Sequence, residues 1–153
     1  MGKIDERLAE LGYTLRIDTT PRKIEMFKTV GDIVYLSGHG PHDLDGNLVA
    51  VGRVGSDVTV ELGYEASKRV ALNALGTLKN AIGDLDRVEE IIKVLGFINS
   101  APDFHRQPEV LNGFTDVLIE VFGDKGRHAR SAVGTSNLPN NQSVEVEMIV
   151  RIS

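Results

Sequence analysis

The sequence predicts an α+β domain, a mixed sheet with two long helices packed on one of its faces. Three observations predict it. Val70, Ala71, Ala74, Leu75, Leu78, Ala81 and Ile82 lie three or four apart, as do Val110, Leu111, Phe114, Leu118, Val121 and Phe122, which is the spacing of helices with one buried side. Val144, Val146, Met148, Val150 and Ile152 alternate with Glu145, Glu147, Ile149 and Arg151, the period of a strand with one core face and one polar face. Ile91 to Asn99 (IIKVLGFIN) is apolar on both faces, as a central strand covered on two sides must be. The chain of 153 residues suits one domain over 1–153, with 1–30 as an N-terminal extension ahead of the first core strand.

Taken in order, Ile4, Leu8 and Leu11 recur at i, i+4 and i+7 and make a short amphipathic helix ended by Gly12. Thr19 to Lys28 is polar and broken by Pro21, an irregular or edge segment. Ile33 to Ser37 is a β-branched and aromatic run closed by Gly38-His39-Gly40-Pro41, which cannot continue a regular ladder. A turn at Asp45-Gly46-Asn47 returns Leu48 to Gly52 as the second arm of a hairpin. The helix from Thr59 to Ala81 starts at Asp57 or Thr59 as cap, carries Glu61 in its first turn and stops at Gly83. Pro108 opens the helix that runs to Phe122, and Gly123 ends it. Ser131 to Thr135 and Val144 to Ile152 form the last strand pair, joined through Asn137 to Ser143. Two helices cover one face of such a sheet, so the apolar second face of the Ile91 strand predicts burial against another copy and hence a homo-oligomer.

Composition narrows the chemistry. With no cysteine, thiol nucleophiles, iron–sulfur clusters and disulfide frameworks are excluded, and a reducing compartment fits. A net charge of -5 opposes sequence-independent binding to nucleic acid, which relies on a basic surface. Met1 to Glu10 holds no apolar run of secretory length and no later segment approaches a membrane span, so a cytoplasmic protein without a membrane partner is expected.

His39 and His42 straddle a Gly-Pro turn near Asp43 and Asp45, but no ligand pattern accompanies them; they read as solvated loop residues, and neither metal nor cofactor is expected. Gly38-His39-Gly40 lacks the third glycine and the following helix of a dinucleotide site. The cluster Lys125, Arg127, His128 and Arg130 has two readings. It is a solvated stretch drawn to the C-terminal end of a helix, or Arg130, opening a strand, presents a planar fork suited to a carboxylate. Glu145 begins the strand taken as the neighbour of Arg130 and could orient or deprotonate a water beside a bound anion; the alternative is a weak cross-strand ion pair.

Arg130-Ser131-Ala132-Val133, Leu138-Pro139 and Val144-Glu145-Val146-Glu147 together resemble the C-terminal signature of the RidA/YjgF family, also known as L-PSP endoribonucleases. Gly31 to Gly38 (GDIVYLSG) is similar to its first core strand, and Val110-Leu111-Asn112-Gly113 with Phe122 to its second helix, so the resemblance covers roughly Gly31 to Ile152. The leading segment and ALNALGTLKNAIGDLDRV are most like a longer subgroup. The resemblance implies a chorismate-mutase-like fold assembled as a homotrimer, with sites in the clefts between subunits. It also implies hydrolytic deamination of reactive enamines and imines, such as 2-aminoacrylate, to a 2-keto acid and ammonia. Arg130 would bind the substrate carboxylate, Glu145 would place the attacking water, Asn112 would line the site, and the backbone around Ser37 and Gly38 would contribute. Ala132 stands in the same lining where many members carry cysteine, His39 where glutamine is common, and the family's site tyrosine falls near Ile24, where neither Ile24 nor Phe27 supplies a hydroxyl. These departures favour a bulkier or less polar ligand.

Three readings follow. The first is an imine or enamine deaminase that binds a small carboxylate-bearing imine or 2-keto acid. The second is a non-catalytic trimer that binds a small carboxylate or a partner in the same cleft. The third, an RNA-cleaving enzyme, rests on the family's older name, and the acidic charge and low aromatic content oppose it.

Overall fold

The computed structural model describes residues 2–153. Where burial is periodic and local, the elements form as their patterns dictate. Helix α1 spans Lys3–Leu11 and ends on Gly12 in the left-handed region, φ 73°. Its Leu8 is buried, and the carboxylate of Asp86 accepts the Lys3 and Ile4 N–H groups at 2.9 and 2.8 Å, partnering the first donors of the helix. Helix α2 spans Val60–Ile82; the Thr59 hydroxyl accepts the Leu62 N–H and Gly83 closes the other end. Helix α3 spans Gln107–Phe122, with Pro108 in its first turn. Ala66, Val70, Ala74, Leu75 and Leu78 of α2 and Leu111, Phe114, Val117 and Leu118 of α3 are fully or almost fully buried in one core. Gly113 sets how closely the two helices approach, because a Cβ there would collide with the Tyr64 carbonyl.

Both helices lie on one face of a five-stranded sheet of order β1-β2-β5-β3-β4. The strands are β1 Phe27–Val30, β2 Ile33–His39, β3 Val88–Asn99, β4 Ala129–Thr135 and β5 Val144–Ile152. Only the β3–β4 pair is parallel, as the crossover through α3 requires. The sheet is therefore mixed and the class α+β.

Two expectations about pairing and one about burial are corrected. The hairpin partner of β2 is β1, across a turn at Gly31 (φ 61°) and Asp32, and not Leu48 to Gly52. That later segment makes isolated bridges only, since Asp43 accepts the Asp45 and Asn47 N–H groups within its own turn and positive φ at Ala50 and Gly52 breaks extension. Second, β4 and β5 do not pair; β3 runs between them. Third, His39 is no solvated loop residue, being 8% exposed.

The face of the sheet away from the helices carries Tyr35 (47% exposed), Val133 (41%) and the half-buried Leu95, Phe97 and Ile149. By register Lys93, Glu145, Glu147 and Arg151 share this face, so it is a mixed surface, and among the described residues no helix covers it. Among the described residues no helix is long and apolar enough to cross a membrane.

Candidate functional site

At the end of the sheet where β2 and β5 meet, the register slips between Leu36 and His39. The irregularity lifts Ser37 and Gly38 out of the ladder toward Glu145. A Cβ on Gly38 would lie 2.9 Å from Oε2 of Glu145, so the carboxyl group rests against bare backbone. Its other oxygen, Oε1, accepts the Gln142 Nε2–H at 3.0 Å. Burial drives the Glu145 pKa up, and the Gln142 bond offsets only part of that rise. A carboxyl group in such surroundings gains proton affinity, which strengthens it as a general base.

Glu145 lines a cleft of about 200 Å³ whose floor is β2 and α2. There Nδ1 of His39 lies 2.7 Å from the Ser37 carbonyl, which can only accept, so Nδ1 carries the proton and Nε2 accepts from the Thr77 hydroxyl, also at 2.7 Å. Burial lowers the His39 pKa and keeps the ring neutral. The Asn73 amide donates to the Gly40 and His42 carbonyls at 3.0 and 2.8 Å and fixes the turn that closes the cleft. The remaining wall comes from the segment between α1 and β1, through Arg16, Asp18, Arg22 and Met26. Ser37, expected in the site, does not line the cleft: its hydroxyl donates to the Glu25 carbonyl at 2.7 Å, and its carbonyl bears on the site only by holding His39 Nδ1.

Arg130 stands elsewhere. Its Nη1 donates to Asn112 Oδ1 at 2.9 Å and to Thr115 Oγ1 at 3.1 Å, both on α3. Thr115 in turn gives its proton to His128 Nε2 at 3.1 Å, because His128 Nδ1 donates to the Gly126 carbonyl at 2.7 Å. Partial burial lowers the Arg130 pKa while Asp116 opposes that shift, and a guanidinium remains charged throughout. Both bonds use Nη1, which leaves Nε and Nη2 without a hydrogen-bond partner among the described residues, a fork free to take a carboxylate. Ala132 follows on the same strand, opposite Gly96 and half-buried against the core.

The fold thus joins Arg130 with Asn112, and Glu145 with Gly38, but does not join the two pairs. The expected neighbour-strand pairing of Arg130 and Glu145 is corrected on two counts. Strand β3 separates them, and register places them on opposite faces: Glu145 is opposite Phe97, Arg130 opposite Val94, and Phe97 and Val94 are an odd number of residues apart. Thr77, Asn73, Gln142, Arg16, Asp18, Arg22 and Thr115 enter these sites without any signal in the linear sequence. Among the described residues no group of three or more His, Asp or Glu stands ready to hold a metal ion.

Comparison with known proteins agrees with this architecture. The chain is 35% identical over 154 residues to Protein TCP17 of Trypanosoma cruzi, covering 99% of this chain and 96% of that protein. It superposes with a TM-score of 0.92 on the crystal structure of Atu1372, a protein of unknown function from Agrobacterium tumefaciens, at 40% identity over 98% of this chain and 92% of that one. A structure from Shewanella oneidensis named "putative endoribonuclease" gives 0.93 at 32% identity, covering 99% and 100% of the two chains. Residues 7–151 match the family described as "YjgF/chorismate_mutase-like, putative endoribonuclease". The helices on one face of a mixed sheet, the Arg130 and Glu145 motifs and this match over nearly the whole chain make the protein a member of the YjgF/RidA family.

Proposed function

We propose that the protein is a hydrolytic deaminase of reactive enamines and imines of the 2-aminoacrylate type, working as a cytoplasmic homotrimer whose sites are completed between copies. The observation that carries this reading is the placement of two groups within the chain: a guanidinium with Nε and Nη2 uncommitted on one face of the sheet and a partly buried carboxyl group on the other. Neither suffices alone. The face without helices, where Tyr35, Leu95, Phe97 and Val133 lie among charged neighbours, supplies a surface on which a second copy would bring its Arg130 to this Glu145.

In such a cleft the Arg130 fork holds the substrate carboxylate and fixes C2 beside Glu145. Glu145 takes a proton from water as its oxygen adds to the imine carbon. The carbon–nitrogen bond then breaks, the water oxygen remains as the keto oxygen, and the nitrogen leaves as ammonia with both water hydrogens. An imine carbon is already electrophilic, so orientation and a placed base are enough.

The test is ammonia release from 2-aminoacrylate generated in situ. The wild type should exceed the spontaneous rate, and Arg130→Ala should lose that acceleration with its assembly unchanged. No acceleration by the wild type overturns the proposal. One observation favours the second reading, a trimer that binds a small carboxylate without turnover: Ile24, near the family's tyrosine position, is 64% exposed and offers the cleft no hydroxyl. Saturable binding of a 2-keto acid with no ammonia release would select it.

A further inference from the structure

The wall of the Glu145 cleft made by the segment before β1 has no part in the chemistry just described, yet it is built and held in place. Arg22 Nη2 lies 2.7 Å and Arg16 Nη1 3.2 Å from the same oxygen of Asp18. Hydrogen bonds from Thr20, with Arg16 adding to them, hold the Asp18 carboxyl well below the usual range, so it is ionised. One carboxylate facing two guanidiniums leaves one positive charge in excess at this wall, which an ionised Glu145 in the same cleft balances over the cleft as a whole, and each arginine has further N–H donors beyond the one it gives Asp18. The neighbouring imidazoles do not add charge, since burial favours neutral His39 and His42.

The wall is also fixed. The Arg16 carbonyl lies over Gly76 of α2, where a Cβ would collide with it, and Arg69 donates to the Thr14 carbonyl at 3.0 Å. The cationic pair is therefore presented at a set place in the cleft rather than carried on a loose tail.

We propose that Arg16 and Arg22 form a second anion subsite, so that the favoured substrate is a short 2-imino dicarboxylate rather than the imine of a neutral side chain. The inference rests on the deaminase reading, with Arg130 of a neighbouring copy taking the carboxylate next to the imine and the Arg16–Arg22 wall taking the distal one. A single excess charge matches a carboxylate better than a phosphate dianion. Hydrolysis itself is unchanged: water oxygen replaces nitrogen on C2, and ammonia leaves.

The experiment compares iminosuccinate, made in situ from aspartate by an aspartate oxidase, with 2-iminopropanoate made from alanine by an amino-acid oxidase. The wild type should prefer iminosuccinate in kcat/KM by about ten- to hundredfold, as one to two charge-assisted hydrogen bonds provide. In Arg22→Ala that preference should collapse toward unity through KM for iminosuccinate, and Arg22→Lys should keep part of it. Arg22 is partly exposed, its side chain 42% accessible, so the substitution leaves the core untouched. A wild type with no preference, or a preference that survives Arg22→Ala, overturns the subsite and leaves the deaminase reading standing. If neither imine is turned over, that reading fails instead. Calorimetry then decides the subsite alone: oxaloacetate binding tighter than pyruvate, with the difference lost in Arg22→Ala, supports it, and equal binding overturns it.

Discussion

The Glu145 cleft and the Arg130 margin differ in how they are finished. The first is enclosed by β2, β5, α2 and the N-terminal segment, and its polar groups are matched to one another: Gln142 to Glu145, Thr77 to His39, Asn73 to the Gly40 and His42 carbonyls. The second is open. Its guanidinium is steered by Asn112 and Thr115 through Nη1 alone, and Nε and Nη2 have no partner among the described residues. On the proposed deaminase reading the cleft would supply the base and the margin the anchor, two half-sites that a second copy would bring together.

The sharpest way to separate them is to disable the base. Glu145→Gln keeps the shape and the Gln142 contact but removes the proton acceptor, and turnover should fall about 10²- to 10⁴-fold with 2-keto acid binding retained. The same residue sets the pH profile. A base must be ionised, and burial raises its pKa, so activity should drop on acidification at a pH above the ordinary glutamate value of 4.5. Steady-state rates across pH check this limb, which Glu145→Gln should abolish.

The enclosure of the cleft is tested through Gly76. Gly76→Ala places a methyl against the Arg16 carbonyl and should cost about 1–3 kcal/mol in denaturant unfolding, with the N-terminal segment becoming more accessible to protease. On the open side, Thr115→Val removes one acceptor of Arg130 and the proton donor to His128. It should raise KM by up to about tenfold while leaving kcat little changed, because Asn112 still holds Nη1.

The smallest effect is a stability slope. The His39 pKa is lowered from 6.5, so between that value and the lowered one the unfolded chain binds more protons than the folded one. Stability therefore rises with pH through this window and falls as pH drops below about 6.5. Thermal unfolding over about pH 5 to 8 should show the slope, and His39→Gln should make it shallower, with His42 and His128, also lowered by burial, supplying the rest.

The sequence revealed what is encoded locally. Helices α2 and α3 and strand β5 were legible because their apolar residues repeat at 3.6 or 2, and Gly83 and Gly123 mark their ends. Strand order was not, since whether β5 lies beside β4 or beyond β3 depends on pairing across the fold. The hairpin arm at Leu48 to Gly52 was misread because Asp43 satisfies the local amides that a ladder would need. Motif resemblance found Arg130, Asn112, Gly38 and Glu145, but the face each occupies follows from register, which spacing does not give. Arg16 and Arg22 had no signal at all; a polar, irregular stretch becomes a wall only because Gly76, some fifty residues later, lets its backbone settle on α2.

The central claim is that a working site takes its base from one copy and its anchor from the next. Co-expression of Arg130→Ala with Glu145→Gln tests it directly. Each variant alone should be inactive, and the co-expressed mixture as a whole should regain roughly a quarter of wild-type sites, one in each mixed trimer, where an intact Glu145 meets an intact Arg130 across a boundary. If the mixture is as inactive as either variant while mass spectrometry shows mixed trimers, both residues serve one chain and the account is contradicted.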